Sequence, residues 1–236
     1  MQAIVLAAGD GGRLHPYTSD RPKALVPLRG RPIISHVLDA LRDAGVDDVV
    51  IVVGYRGDQI REALAALAPQ GMRLRFCENE AYLQGNARSL WAARGSVQGP
   101  FILAMSDHLV EPGLLRSLAD RADGRCRLAV DHAAESDPRA GDATKARVEG
   151  GRVLDLGKTI RGWNALDTGV FWCTPRVFDA LAPSMRDGEL AEVFASLARS
   201  GDLDAVDVSG RRWIDIDTEE DLRSAEAMVG DDGRLA

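Results

Sequence analysis

The opening 25 residues constrain the chain most. Ala3-Ile4-Val5-Leu6 is apolar and β-branched with no turn residue inside it, which predicts a short buried strand. It empties into Ala7-Ala8-Gly9-Asp10-Gly11-Gly12-Arg13-Leu14, and a polar stretch then leads to Pro22-Lys23-Ala24-Leu25. Small residues and glycines let bare backbone N–H groups approach an anion, because no Cβ stands in the way. Arg13 and Lys23 place two cations beside those donors. The stretch reads as a cradle for a phosphate chain.

Two familiar phosphate loops do not fit. No Gly-Lys-Ser/Thr follows, so this is not a P-loop, and the third glycine of a dinucleotide G-x-G-x-x-G would fall at Leu14. The spacing instead resembles the G-x-G-x-R-L … P-K-x-L signature of the sugar-nucleotidyltransferase-like superfamily, with Gly12 where that family usually has Thr.

Composition narrows the partners. With 236 residues and 45% hydrophobic residues, the chain can bury one sizeable core. Its apolar runs are too short to span a bilayer, and residues 1–8 lack the charged and apolar regions of a signal peptide. The net charge of −7 argues against nucleic acid as a bulk partner, although nucleotide binding needs only local cations. Cys77, Cys126 and Cys173 are distant in sequence and odd in number, which supports neither a zinc site nor a disulfide framework. A cytoplasmic chain with reduced thiols and no membrane contact is expected.

Strand-like runs at 49–53, 74–76, 101–105 and 128–130 alternate with helical apolar spacing at Ile33–Leu41, Ile60–Leu67 and Leu114–Leu118, and 85–94 is read as a further helix. That rhythm implies a largely parallel sheet with helices on both faces, and ligands in such sheets sit beyond the strands' carboxyl ends. The rhythm then changes. Residues 143–148 and 152–156, separated by Glu149-Gly150-Gly151, predict an antiparallel hairpin. A strand opens at Asp167, helices are expected near 175–183 and 189–200, and a strand at 204–208. Thr218 is placed as the N-cap of the last helix, with Asp221 three residues on. Residues 230–236 are expected to fray.

Asp107 ends an apolar strand on the side of the cradle. A carboxylate there is costly to bury unless it is paired or metal-bound. Asp215 and Asp217 alternate with Ile214 and Ile216 and share one face. One or two carboxylates plus substrate phosphates suit Mg²⁺, so Asp107, Asp215 and Asp217 are the metal candidates, Asp217 ahead of Asp215. Asp217 as a helix-cap residue is the competing reading. Lys145, Arg147, Lys158 and Arg161 cluster around the hairpin, where a second phosphate could bind or the charges could simply be solvated.

Three stretches narrow the family: 101–108 ending in Ser-Asp-His; Gly141-Asp-Ala-Thr-Lys-Ala-Arg-Val with Gly157-Lys158 and Asp167-Thr-Gly169; and Trp213-Ile-Asp-Ile-Asp217 running on to Asp221. They resemble the cytidylyltransferase domain that moves CMP from CTP to inositol 1-phosphate. Ser106 stands where the family usually has Gly. The resemblance implies a three-layer α/β/α nucleotidyltransferase sandwich, Rossmann-like and GT-A-like, with a mixed, mostly parallel sheet and an inserted hairpin. It implies one domain, 1–229, with a nucleotide half (1–131) and an acceptor half (132–229).

By the same resemblance, Leu6, Ala7, Ala8, Gly9, Gly11 and Gly12, with Glu80, Gly85 and Asn86, bind the nucleotide. Arg13, Lys23 and Asp107 are catalytic, Asp107 with Asp217 or Asp215 holds Mg²⁺, and Lys145, Lys158, Asp142, Asp167 and Gly169 hold the acceptor. The partners are CTP and a small phosphorylated or phosphonate acceptor, and a homodimer is compatible with the sequence. Alternatives left open are phosphocholine, an aminoethyl- or hydroxyethylphosphonate, or a sugar 1-phosphate as acceptor, and a non-catalytic nucleotide sensor. Tyr82, Trp91, Trp163 and Trp172 are the aromatic candidates for a choline pocket.

Overall fold

Strand β1 (Gln2–Ala7) shows why two helical layers are needed. Its Ala3, Val5 and Ala7 belong to one apolar cluster and its Ile4 and Leu6 to another, because side chains alternate across a strand. The computed structural model describes residues 1–119, 124–181, 187–230 and 233–235. Helices α1 (Ile33–Asp43), α2 (Gly57–Leu67), α4 (Pro112–Ala119) and α7 (Glu219–Met228) feed the first cluster. Helices α3 (Asn86–Ala92), α5 (Val177–Ala180) and α6 (Leu190–Arg199) feed the second. The result is an α/β/α sandwich.

Between the layers runs a nine-stranded sheet. β4 (Asp48–Val53), β5 (Arg73–Glu78) and β6 (Phe101–Met105) extend it in parallel from β1: β5 pairs with β4, and β4 and β6 flank β1. Beyond β6 the sheet turns mostly antiparallel. There β11 (Ala165–Cys173) lies between β6 and β8 (Cys126–His132), β12 (Leu203–Asp207) runs parallel to β8, and the hairpin β9 (Lys145–Glu149) and β10 (Arg152–Gly157) closes the edge. The expected hairpin is therefore present, turning at Gly150-Gly151, both with positive φ. The two halves share one sheet.

Two short ribbons were not foreseen. β2 (Pro27–Leu28) pairs with β3 (Arg31–Pro32), and β7 (His108–Val110) pairs with β13 (Trp213–Asp215). Strands of two or three residues leave too little pattern to read. The helix expected near 175–183 is only the single turn of α5 as far as residue 181, and its last two positions lie outside the described residues. α7 starts as expected, with Thr218 and Asp221 forming a reciprocal capping box.

The tail departs from its expected fraying where it is described. Arg234 pairs with Asp43 at 2.7 Å, the carbonyl of Gly233 lies 2.8 Å from His36 Nδ1, and Val229 bridges to Leu235. These contacts return the chain to α1. No described helix is long and apolar enough to cross a membrane.

Candidate active site

The glycine loop leaves β1 at the carboxyl end of the parallel strands and borders a cleft of about 1130 Å³. Gly11 is left-handed, at φ 69°, and a Cβ there would lie 2.5 Å from Lys23 Cβ. Only glycine lets the loop close over Lys23 in this way. Leu6, Ala7, Ala8, Gly9, Gly11, Gly12, Arg13 and Lys23 all line the cleft.

Opposite the loop stand the carboxylates. Asp107 follows β6, and the β7–β13 ribbon sets His108 opposite Asp215. Ile216 N–H donates to the Asp107 carbonyl at 3.1 Å, which fixes the segment carrying Asp217 against the end of β6. Lys23 Nζ then lies 2.6 Å from Asp107 Oδ2 and 2.6 Å from Asp217 Oδ1, and Arg13 Nη2 is 2.5 Å from Asp217 Oδ2. His108 Nδ1 is 2.9 Å from Asp107 Oδ1 and 3.5 Å from Asp215 Oδ1. Asp107, which sequence alone left without a cation partner, has two basic neighbours.

The proton balance follows from this packing. Burial works against the charge on Lys23, but Asp107, Asp217 and Asp215 outweigh it and hold the ammonium above the usual lysine range. Burial would likewise raise Asp107, yet Lys23 and His108 pull it far below the usual carboxylate range. His108, also buried, is lifted to about 9, first by Asp215 and then by Asp107. Burial, then repulsion from Asp107 and Asp217, pushes Asp215 up to about 7 against the pull of His108 and Lys23. Asp217 is held low despite burial, chiefly by Lys23.

Among the described residues, Asp107, His108 and Asp215 form one group whose ligand atoms lie within 4.8 Å of one another. Asp215 Oδ1 is buried and has no hydrogen-bond partner, as an oxygen meant for a cation would be. Hard carboxylate oxygens fit Mg²⁺. Asp217, the preferred partner of Asp107 from sequence, has both oxygens engaged by Lys23 and Arg13, whereas Asp215 Oδ1 makes no hydrogen bond and has His108 Nδ1 at 3.5 Å.

The far wall comes from the second half. Asp142, Lys158, Asp167 and Gly169, the expected acceptor residues, line the cleft. A register shift in β11 between Asp167 and Phe171 sets Gly169 at φ 74°, and a Cβ there would run into the His108 ring. Burial pushes Asp167 up to about 6, against the N–H of Gly169, which donates to its carboxylate.

Other expected residues lie elsewhere. Lys145 does not line the cleft; it is buried, and its Nζ donates to the Gly141 carbonyl at 3.3 Å. Glu80 is exposed away from the cleft, and Gly85 packs against the Gly188 carbonyl. Asn86 does reach the cleft, but its Oδ1 accepts from Leu190 N–H at 2.6 Å, so it also docks the start of α6. Tyr82, Trp91, Trp163 and Trp172 are absent from the lining; Trp213 and Phe171 are the aromatic side chains in it. Residues not singled out from sequence also line it, notably Glu189, Glu192 and Arg199. They lie on or beside a helix with a strong apolar stripe, and nothing in its pattern marks them.

A glycine loop and paired strand-end aspartates, meeting across the end of an α/β/α sheet, make a nucleotide-handling enzyme fold. Within that class the chain belongs to the family of MobA-like NTP transferase domains, whose model matches residues 3–202. It is 36% identical over 245 residues to the "Bifunctional IPC transferase and DIPP synthase" of Rubrobacter xylanophilus, an alignment that covers 99% of this chain and 54% of that protein. The chain thus spans about half the length of that relative. Identity is also 36% to the "CMP-5'-(3-aminopropyl)phosphonate synthase" of Streptomyces rubellomurinus, covering 96% of this chain and 38% of that one. Among solved structures, the inositol-1-phosphate CTP transferase from T. maritima superposes with a TM-score of 0.84 at 29% identity, covering 96% of this chain and 94% of the other.

Proposed function

We propose that this chain is a Mg²⁺-dependent cytidylyltransferase that moves CMP from CTP to inositol 1-phosphate and releases pyrophosphate. The observation that carries it is the meeting of Arg13, Lys23, Asp107 and Asp217 at the mouth of the glycine loop, in a chain so similar to the T. maritima transferase.

The loop backbone from Leu6 to Gly12 receives the nucleotide, and Arg13 and Lys23 neutralise the triphosphate. Asp107, with Asp215 or Asp217, would hold Mg²⁺, which supplies charge neutralisation at the α-phosphate when bound. Lys158, on the far wall, attracts the acceptor phosphate and orients it for attack on the α-phosphorus. That phosphate is already ionised near neutral pH, so no protein group has to take its proton. Catalysis is positioning plus charge neutralisation in a partly buried cleft.

A second reading is supported by the carboxylates of Asp142, Glu189 and Glu192 in the acceptor half, together with the phosphonate-synthase relative. They would suit an aminoalkylphosphonate, whose ammonium they would face. Pyrophosphate release from each of the four nucleoside triphosphates, against inositol 1-phosphate, phosphocholine, 2-aminoethylphosphonate and glucose 1-phosphate, decides. Turnover fastest with CTP and inositol 1-phosphate is the expected result. Turnover only with a phosphonate transfers the assignment to the second reading, and no turnover with any pair refutes both.

A further inference from the structure

Cys126 opens β8 and Cys173 ends β11, two antiparallel neighbours far from the cleft's catalytic groups. The register pairs Phe171 with Leu128 and Trp172 with Arg127, so the next pair is Cys173 with Cys126. Directly opposed residues on antiparallel strands have Cα atoms roughly 4.5–5.5 Å apart and side chains on the same face. A disulfide spans Cα separations of about 4.4–6.8 Å. Both cysteines belong to the same apolar cluster, which confirms the shared face, and both are free thiols. Nothing in the spacing of the cysteines marks this pairing, because 46 residues separate the two.

The pair is also asymmetric. Cys126 forms part of the wall of a separate surface pocket of about 370 Å³, which it shares with Arg125, Thr174, Arg176, Ser196 and Ser200, and Cys173 lies behind it. Thr174 Oγ1 lies 3.9 Å from Cys126 Sγ, and the Cys173 thiol stands opposite on the neighbouring strand. These neighbours, Cys173 first, draw Cys126 down to about 7 against the opposing effect of burial, while burial pushes Cys173 well up. The outer sulfur thus has the thiolate character of a nucleophile, and the inner one is protonated and in reach.

We propose that Cys126 and Cys173 are an oxidation site, at which hydrogen peroxide converts the cross-strand thiol pair into an intramolecular disulfide. The Cys126 thiolate attacks one peroxide oxygen, the O–O bond breaks, and the departing hydroxide takes up a proton, leaving a sulfenic acid on Cys126. The Cys173 sulfur then attacks the Cys126 sulfur. An S–S bond forms, the S–O bond breaks, and the hydroxyl leaves with the Cys173 proton as water. Two thiols are oxidised and one peroxide is reduced to two waters. Cys77, on β5, stands apart with its thiol pushed up by burial, and takes no part.

The test uses the whole protein, treated with hydrogen peroxide, alkylated and mapped by mass spectrometry. The expected result is a monomer two hydrogens lighter before alkylation, which then takes one alkyl group, at Cys77, with a Cys126–Cys173 cross-linked peptide pair and full reversal by dithiothreitol. In Cys173→Ser, oxidation stops at a sulfenic acid on Cys126 that dimedone traps, and nucleotide turnover without peroxide matches the wild type. Wild-type protein that keeps all three thiols, or that oxidises at Cys77 alone or between chains, overturns the proposal. Because that map needs no variant, it decides even if Cys173→Ser fails to fold.

Discussion

Lys23 holds two carboxylates together and is proposed to bind phosphate, and removing it separates the two roles. Its ammonium lies 2.6 Å from both Asp107 and Asp217, with the Lys23 side chain 11% exposed and the two carboxylates about one fifth exposed. An exposed ion pair contributes about 0–1 kcal/mol, whereas removing one partner of a buried pair costs about 3–5 kcal/mol. Asp217 retains Arg13 and Asp107 retains His108, so Lys23→Ala falls at the lower end, about 3 kcal/mol. That corresponds to a melting temperature roughly 6–12 °C lower for a chain of this size. Among the binding groups, loss of a charge-assisted phosphate contact costs a further 2–4 kcal/mol or so in kcat/KM for the nucleotide. Thermal melts without ligand and initial rates at limiting CTP measure the two separately. An unchanged melting temperature would refute the ion-pair account, and an unchanged kcat/KM in folded protein would refute the phosphate role.

The second phosphate site is tested by Lys158→Ala, which should raise the acceptor KM about tenfold with CTP affinity by calorimetry unchanged. Lys145→Ala should instead lower stability by about 1–3 kcal/mol and leave the acceptor KM within twofold, since Lys145 is buried off the cleft. Gly169→Ala forces a side chain into a left-handed residue and onto the His108 ring, so about 2–4 kcal/mol of stability and most turnover should be lost; wild-type denaturation and rates would contradict that geometry. At Asp48, burial opposes the charge, but hydrogen bonds from Arg75, Gln2 and Arg73 bring the carboxyl down to about 2. A depressed folded value stabilises above the ordinary carboxylate range, near 3.8, and that stability is lost as pH falls through about 2. Asp48→Asn should therefore remove about 2 kcal/mol at pH 7 and flatten the denaturation profile between pH 4 and 2.

The sequence was most legible where the signal was local. The strand-to-glycine run at 3–12, the apolar face of α1, the Gly150-Gly151 hairpin and the Thr218–Asp221 capping box each depend on spacing within a few residues. What stayed hidden was set by chain segments far apart. Lys23 meets Asp217 across 194 residues, and Asp215 reaches His108 only because two three-residue strands pair. Lys145 alternates with Arg147 and Glu149, yet those two are exposed while Lys145, at the start of the strand, is buried, and alternation cannot say where along a face the cover begins. Gly85 and Asn86 sit where a nucleotide-reading turn was expected, and there Gly85 lets the chain approach the Gly188 carbonyl while Asn86 accepts from Leu190 N–H.

In the proposed reaction the α-phosphoryl group, with its nucleoside, passes to a phosphate acceptor. Parallel reactions with CTP labelled at the α- or the γ-phosphorus, with Mg²⁺ and inositol 1-phosphate, test it most directly. The α-label is expected to enter a CDP-linked product and the γ-label to leave as pyrophosphate, both only when acceptor is present. Release of γ-label as inorganic phosphate, or of α-label as free CMP independent of acceptor, would contradict it.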